Sequence, residues 1–256
     1  MADSFFTPLG DDRWQATAHT TGPWDGAFQH GGPPSALLGR EVERRSSRDD
    51  LVTGRVTVEI LGAVPVGELV LRSQVTRPGR SVELVQAVLS ANGRDVARAE
   101  AWRVLRTSAH VVSRARTAPV LPVDGGPVPL GDWIDGYLSA VEWRFVTGTF
   151  GEPGPSTAWA RLRYPLVPDE EPTPLVRVLA VADSGNGVSS ELPIKQWHFI
   201  NPELTVHLHR EAVGEWVCLD AQTAISPGGA GLATSSLSDV HGPLGVGAQS
   251  LFVAPR

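Results

Sequence analysis

The residues around His30 combine types that could hold an oxyanion. The chain reads Gln-His-Gly-Gly-Pro-Pro over 29–34, directly before a helical pattern that we predict over 35–45. Two glycines let a ligand approach the backbone closely, and the first N–H groups of a helix are unpaired and carry partial positive charge. In isolation, this pattern would indicate a tight loop in which His30 only packs or caps. Because it stands directly before a helix, the pattern favours an oxyanion site in which the backbone N–H groups of Gly31 and Gly32 hold a carbonyl oxygen.

A second candidate is Asp183, the last residue of a helix that we predict over 175–183. The Ser-Gly-Asn-Gly that follows Asp183 is a helix-stopping sequence. An acid at this position faces the negative end of the helix dipole, which opposes stability. Such a conflict between residue type and local structure is typical of functional sites. The alternative is an exposed Asp183, or one that caps the following turn.

Two amides carry weaker signals. Gln249 interrupts the apolar run VGAQSLFV, but a solvent-facing position on an alternating strand fits it equally well. Asn201 stands before Pro202, and this pair on its own favours a turn. Glu203 is a substitute acid near Asn201 if the register is shifted by two residues.

The elements that must position these residues occur twice. Val56–Leu71 (VTVEILGAVPVGELVL) and Leu204–Leu219 (LTVHLHREAVGEWVCL) share a Thr-Val pair and a Val-Gly-Glu corner, offset by 148 and 147 residues. A repeat of this length is a complete folding unit. We predict an N-terminal unit over 1–106, a Pro-rich linker over 107–136 and a C-terminal unit over 137–256. Residues from both halves can then form one site at a pseudo-symmetric interface.

Each unit combines one helix with antiparallel strands. Alternating apolar residues and hairpin turns such as Asn92-Gly93 predict the strands. They span 54–61, 67–77, 81–91 and 94–106 in the first unit, and 141–148, 157–163, 197–209, 215–225, 229–238 and 244–253 in the second. One helix per curved antiparallel sheet predicts an α+β fold with the helix in the concavity of the sheet.

Composition excludes several classes of protein. The chain has 256 residues, 41% hydrophobic and 20% charged, as in globular proteins. A net charge of −6 argues against a nucleic-acid partner, because phosphate binding needs a basic face. The single cysteine, Cys218, allows neither an internal disulfide nor a cysteine metal cluster. No signal peptide and no membrane-spanning run is found, so we expect a cytoplasmic protein that does not contact a membrane.

Taken together, the glycine pair before the first helix, Ala182-Asp183 ending the second, His209-Arg210 ending a strand and the late Gln249 resemble the double-hotdog acyl-CoA thioesterases similar to acyl-CoA thioesterase II. The resemblance covers nearly the whole chain and is clearest over 22–45 and 175–253. It implies a double hotdog, in which two curved antiparallel sheets, each wrapped around a central helix, join side by side.

The resemblance also implies a catalytic set. Asp183 matches the family's Asp on the second helix, and Gln249 matches its late Gln. Asn201 falls where the family has Thr, a departure that can change turnover or substrate, and an amide can still hold a water or a carbonyl. The implied reaction is hydrolysis of an acyl-CoA or acyl-carrier thioester, with a role in lipid metabolism. Gly31 and Gly32 would hold the oxyanion.

Further expectations accompany this assignment. Trp24 and His30 would contact the substrate, no metal or redox cofactor is required, and a homodimer is expected because further association is common in the resembling family. One alternative is an enoyl hydratase that uses Asp25 and His30, whose spacing matches the hotdog hydratases but whose intervening GAFQ lacks their Asn-Pro. The other is an acyl-binding module without activity, if Asn201 disables the site.

Overall fold

The structure, a computed structural model, describes residues 3–46, 48–107, 117–124, 128 and 135–256. The first half contains β1 (Phe6–Gly10), β2 (Arg13–Ala16), α1 (Gly32–Arg45), β3 (Leu51–Ile60), β4 (Glu68–Arg77), β5 (Val82–Ala91) and β6 (Arg94–Leu105). The second half contains α2 (Tyr137–Ala140), β7 (Val141–Thr147), β8 (Ser156–Leu162), α3 (Pro174–Ala182), α4 (Gly185–Val188), β9 (Trp197–Ile200), β10 (Glu203–Leu208), β11 (Val217–Ile225), β12 (Ala230–Asp239) and β13 (Gly242–Pro255). The predicted α+β class is confirmed.

All described strands belong to one antiparallel sheet that crosses both halves. Its order is β1-β2-β4-β5-β6-β3-β10-β13-β12-β11-β8-β7, and β9 pairs with β13. The halves meet where β3 pairs with β10. The unit boundaries themselves, 1–106 and 137–256, remain a prediction from the sequence. Much of the predicted linker, at 108–116, 125–127 and 129–134, lies outside the described residues.

The sequence repeat marks the centre of this junction. Thr57 and Thr205, which are equivalent in the repeat, lie directly opposite each other, and their hydroxyls are 3.2 Å apart. When equivalent residues pair across antiparallel strands, a local pseudo-twofold axis passes between them. The two predicted folding units are therefore related by rotation about this pair, which brings α1 and α3 together.

The helices α1 and α3 fill the concave side of the sheet. α1 contacts β3, β4, β5 and β6, whereas α3 contacts β8, β10 and β11. The two helices also pack against each other, and Gly39 permits their close approach because a Cβ there would collide with Leu179. Leu37, Leu38 and Leu179 are fully buried in a core that both halves share. The helix ends that carry the candidate residues are consequently held rigidly.

The prediction of one strand over 197–209 is wrong, because the chain forms β9 and β10 with a break between them. Pro202 lacks the N–H that a continuous ladder needs, and the pairing with β13 shifts register by one residue across the break. Continued in the register of β10, the strand would turn Asn201 to the outer face. The shift instead leaves Asn201 buried, on the side of the helices.

An N-terminal hairpin was not predicted. Strands β1 and β2 extend the sheet beyond β4, and the backbone N–H groups of Phe5 and Phe6 donate to carbonyls of the second half, Pro165 and Leu166. Both phenylalanine side chains are buried, so this segment ties the halves together. In the part of the chain that the structure describes, no helix is long and apolar enough to span a membrane.

Candidate active site

A cavity of about 610 Å³ opens between the two halves at the start of α1 and the end of α3. Five of the predicted site residues line it, namely Trp24, His30, Gly31, Asp183 and Asn201. Gln249 and Gly32 lie directly behind them and bond to Asp183 and His30. Residues far apart in the chain thus share one cavity wall.

Asp183 follows the last turn of α3 and is 3% exposed. Its Oδ1 accepts hydrogen bonds from Nδ2 of Asn201 at 2.8 Å and from Nε2 of Gln249 at 3.3 Å. These charge-assisted bonds offset the burial of the carboxylate and its position at the negative end of the helix. Because both amides use Oδ1, Oδ2 is left for a group in the cavity.

Gln249 connects the end of α3 to strand β13. Its Nε2 also donates to the backbone carbonyl of Asp183 at 2.9 Å, and its Oε1 accepts the N–H of Asn186 at 3.0 Å. The side chain is 2% exposed, so the alternative of a solvent-facing position does not describe it. This one amide therefore fixes both the backbone and the carboxylate of Asp183.

Next to Asp183, the start of α1 offers fewer free N–H groups than a usual helix. Pro33 and Pro34 have none, and the N–H of Ser35 already donates to Gly31 O. The N–H of Gly32 donates to Nδ1 of His30 at 3.0 Å, which differs from the predicted role of this group as an oxyanion donor. Among the described residues, only the N–H of Gly31 remains without an acceptor at this helix end.

Both glycines are required by close contacts. A Cβ at Gly31 would lie 2.5 Å from Oδ2 of Asp183, and one at Gly32 would collide with the carbonyl oxygen of Ala180. Real Cβ atoms do not approach other atoms so closely. The glycine pair therefore brings the start of α1 directly onto the end of α3.

His30 lies beside the carboxylate but does not form an ion pair with it. Its Nδ1 is 3.4 Å from Oδ2 of Asp183, yet the same nitrogen accepts the Gly32 N–H and so cannot carry a proton. Burial lowers the pKa of His30, and this effect outweighs the nearby Asp183, which raises it. The imidazole is consequently neutral at neutral pH.

Tyr137 is a site residue that the sequence analysis missed. Its buried ring stacks on His30 with centroids 3.9 Å apart and planes 11° from parallel. The hydroxyl donates to the carbonyl of Ala180 at 2.7 Å and lies 2.9 Å from Oγ of Ser184. Tyr137 follows the linker, where no periodic pattern exists, so the sequence holds no signal for this contact.

The two other candidate carboxylates make different contacts. Asp25 lines the cavity but is exposed, and it accepts the N–H of Ala27 at 2.8 Å in a local turn. Glu203 bonds the N–H of Ser250 and the hydroxyl of Thr205. The carboxylate in contact with His30 is Asp183.

Known structures share this architecture over nearly the full chain. Acyl-CoA thioesterase II from Mycobacterium marinum aligns with a TM-score of 0.69 and 14% identity, over 98% of this chain and 95% of that one. A hot dog fold protein of unknown function from Alicyclobacillus acidocaldarius gives 0.72 and 16%, over 96% and 95%. The TesB protein of Mycobacterium avium subspecies paratuberculosis gives 0.68 and 15%, over 98% and 96%. The predicted double-hotdog fold is thereby confirmed.

Two protein-family models match the chain and identify its family. Residues 20–104 match the acyl-CoA thioesterase N-terminal domain, and residues 115–253 match the acyl-CoA thioesterase C-terminal domain. No curated protein matches the chain in a sequence search. The chain belongs to the acyl-CoA thioesterase family and is a thioester hydrolase.

Proposed function

We propose that the chain hydrolyses an acyl-CoA thioester in the cavity between α1 and α3, with Asp183 as general base. The observation that carries this proposal is the arrangement of one buried carboxylate at the cavity wall, with two amides bonded to its Oδ1 and no hydrogen bond from the described residues to its Oδ2. Oδ2 would take a proton from a water molecule as the water attacks the thioester carbonyl. A positioned base contributes roughly 10²–10⁴-fold to the rate.

Asn201 and Gln249 act by holding this base. An amide donor on Oδ1 fixes the carboxylate plane, so that the lone pairs of Oδ2 are directed to one place. Thr, which the family has at the position of Asn201, could donate a single hydroxyl hydrogen in the same way. The amide of Asn201 also donates to the carbonyl of Glu203 at 3.3 Å. Because an amide has two N–H hydrogens, Asn201 can make this second bond and keep the bond to Asp183.

The backbone N–H of Gly31 is proposed to hold the oxyanion that develops on the thioester oxygen. It belongs to the residue that caps α1, where the helix dipole favours negative charge. One preorganised donor of this kind contributes ~3 kcal/mol in a site that excludes water. Because a thioester is already activated, a base and an oxyanion site suffice for turnover without a cofactor.

The cavity walls favour an apolar acyl group. Aromatic and aliphatic side chains form most of the wall beyond the carboxylate, including Trp24, Phe28, Leu138, Phe150, Leu192, Ile194 and Phe199. Trp24 packs edge-on against Phe199 with ring centroids 4.9 Å apart. An acyl chain would exchange water for these surfaces at roughly 25 cal/mol per Å².

A panel of CoA esters tests the proposal. Acetyl-, octanoyl-, palmitoyl- and benzoyl-CoA are incubated with the protein, and free CoA is followed with a thiol-reactive dye, while hydration of crotonyl-CoA is measured alongside. Release of CoA from an ester with an apolar acyl group is expected. Hydration of crotonyl-CoA without hydrolysis would support the hydratase alternative. Binding without turnover of any ester would support the non-catalytic alternative.

Gln249→Ala should reduce kcat less than loss of the base does, because the carboxylate stays in place with one amide donor. It should also destabilise the fold by about 1–3 kcal/mol, since the N–H of Asn186 and the carbonyl of Asp183 lose a buried partner. Steady-state kinetics and chemical denaturation measure the two effects. Gln222→Ala, at an exposed position on β11, is the control. Equal stability of both variants would contradict this role of Gln249.

Association and location are proposed from the family resemblance. We expect a homodimer, so light scattering at micromolar concentration should give about twice the chain mass of 27.3 kDa. A mass equal to one chain would exclude the dimer. The expected place of action is the cytoplasm, in lipid metabolism.

A further inference from the structure

The hydrogen bonds of His30 define which nitrogen carries its proton. Nδ1 accepts the N–H of Gly32 at 3.0 Å. A neutral imidazole has one acceptor and one donor nitrogen. The single proton of His30 is therefore on Nε2, and the tautomer is set by the first N–H group of α1.

The orientation of the ring is fixed from two sides. Tyr137 covers one face in parallel contact, and its own hydroxyl and backbone N–H are bonded to Ala180 and Thr21. The backbone N–H of His30 donates to Thr20 O at 2.8 Å. Ring rotation would break the bond to Gly32 and the stacking, so Nε2 keeps one direction.

Nε2 belongs to a side chain that lines the cavity. Within the described residues, no group accepts a hydrogen bond from it, and it is not among the unpaired atoms that are shut off from solvent. His30 lines the cavity beside Gly31 and Asp183. Nε2–H is therefore a donor that is open to a partner in the cavity.

The thioester oxygen is a suitable partner for Nε2–H, because a donor at the neighbouring helix start is already in use. Hydrolysis places negative charge on the thioester oxygen, and the N–H of Gly32, which could have stabilised it, is used by His30. The bond from Gly32 to Nδ1 polarises the ring and strengthens Nε2–H as a donor. The partial positive charge at the start of α1 therefore acts on the cavity by way of Nε2–H of His30.

We infer, building on the proposed thioester hydrolysis, that Nε2–H of His30 donates to the thioester carbonyl oxygen as the second oxyanion donor, beside the N–H of Gly31. Tyr137 is then a positioning residue that acts through His30. A neutral imidazole is a very weak acid, so His30 keeps its proton throughout and stabilises charge by a hydrogen bond. Protonation of the leaving thiolate must come from elsewhere, for example from the proton that Asp183 has taken from water.

Substitution of His30 tests this role. His30→Phe keeps a flat ring against Tyr137 but removes the donor, and kcat should fall by roughly 10²–10³ with KM nearly unchanged. His30→Gln restores an N–H donor and should recover part of kcat. His241→Phe, at an exposed loop position, is the matched control. Thermal melting establishes that each variant is folded.

The outcomes separate this inference from the proposed function. If the native protein hydrolyses the panel and folded His30→Phe retains kcat, the second donor is wrong and the hydrolase mechanism stands. If His30→Gln is as inactive as His30→Phe, the donor role is also overturned. Long-range ¹H–¹⁵N NMR spectra of His30 provide a readout without substrate. A proton on Nε2 at neutral pH is expected, and a proton on Nδ1 would overturn the inference.

Discussion

Asp183→Asn should lower kcat by roughly 10²–10⁴, the contribution of a positioned general base. The substitution is isosteric, and the amide oxygen can still accept the bonds from Asn201 and Gln249. The new amide nitrogen would stand where Oδ2 is, 3.4 Å from the acceptor nitrogen of His30, and would donate to it. The fold is therefore retained while the proton acceptor is lost. Hydrolysis of the preferred CoA ester and thermal melting measure the two properties.

Asp169→Asn is the matched control for this prediction. Asp169 is exposed in the loop before α3 with φ of 57°, a conformation that Asn adopts readily. Its kinetics should equal those of the native protein. If Asp183→Asn hydrolyses the ester at the native rate, the general-base mechanism is excluded, although the fold and the family assignment would remain.

Local sequence patterns were sufficient for most of the fold. The Gly and Pro residues around the two helices predicted α1 and α3 to within a few residues, and alternating apolar residues with hairpin turns predicted the strands β3 to β6 closely. The break between β9 and β10 could not be predicted in this way, because it depends on pairing with a strand that comes later in the chain. The β1–β2 hairpin was missed because its strands are too short to show alternation, although Asp11 and Asp12, both with positive φ, form its turn.

The candidate site was predictable to a different degree at each residue. Asp183 was identified by a local conflict, an acid at the negative end of a helix, which the structure explains by the amides that bond to it. Asn201 and Gln249 were selected only by resemblance, since an amide acquires its role from the tertiary contact. Tyr137 had no signal at all. Its contact with His30 exists because two distant segments meet.

The use of the Gly32 N–H illustrates a limit of reasoning from helix ends. The rule that first-turn N–H groups are free holds until a nearby side chain accepts one of them. His30, two residues before Gly32, does so, in the manner of the local side-chain to backbone bonds that compete with regular structure. Spacing alone could suggest such a bond but could not distinguish it from an imidazole that faces away.

Gly31→Ala is expected to affect both activity and stability. The added Cβ would lie 2.5 Å from Oδ2 and 2.8 Å from Cγ of Asp183, and the carboxylate cannot retreat because Asn201 and Gln249 hold it. Forcing an extra methyl group into such a site costs about 1–3 kcal/mol. A displacement of the base by about 1 Å can cost ~10²-fold in rate. We expect a folded protein with lower melting temperature and strongly reduced kcat.

A double-mutant cycle identifies the cause of these losses. In the background of Asp183→Ala, which removes the carboxylate, Gly31→Ala should destabilise the protein much less, because the colliding atoms are gone. Gly26→Ala, in the same loop but with no atom within 4 Å of the added Cβ, is the control and should change little. If Gly31→Ala costs the same stability with and without the carboxylate, the two residues are not in contact. The close approach of α1 to α3, on which the shared site depends, would then be wrong.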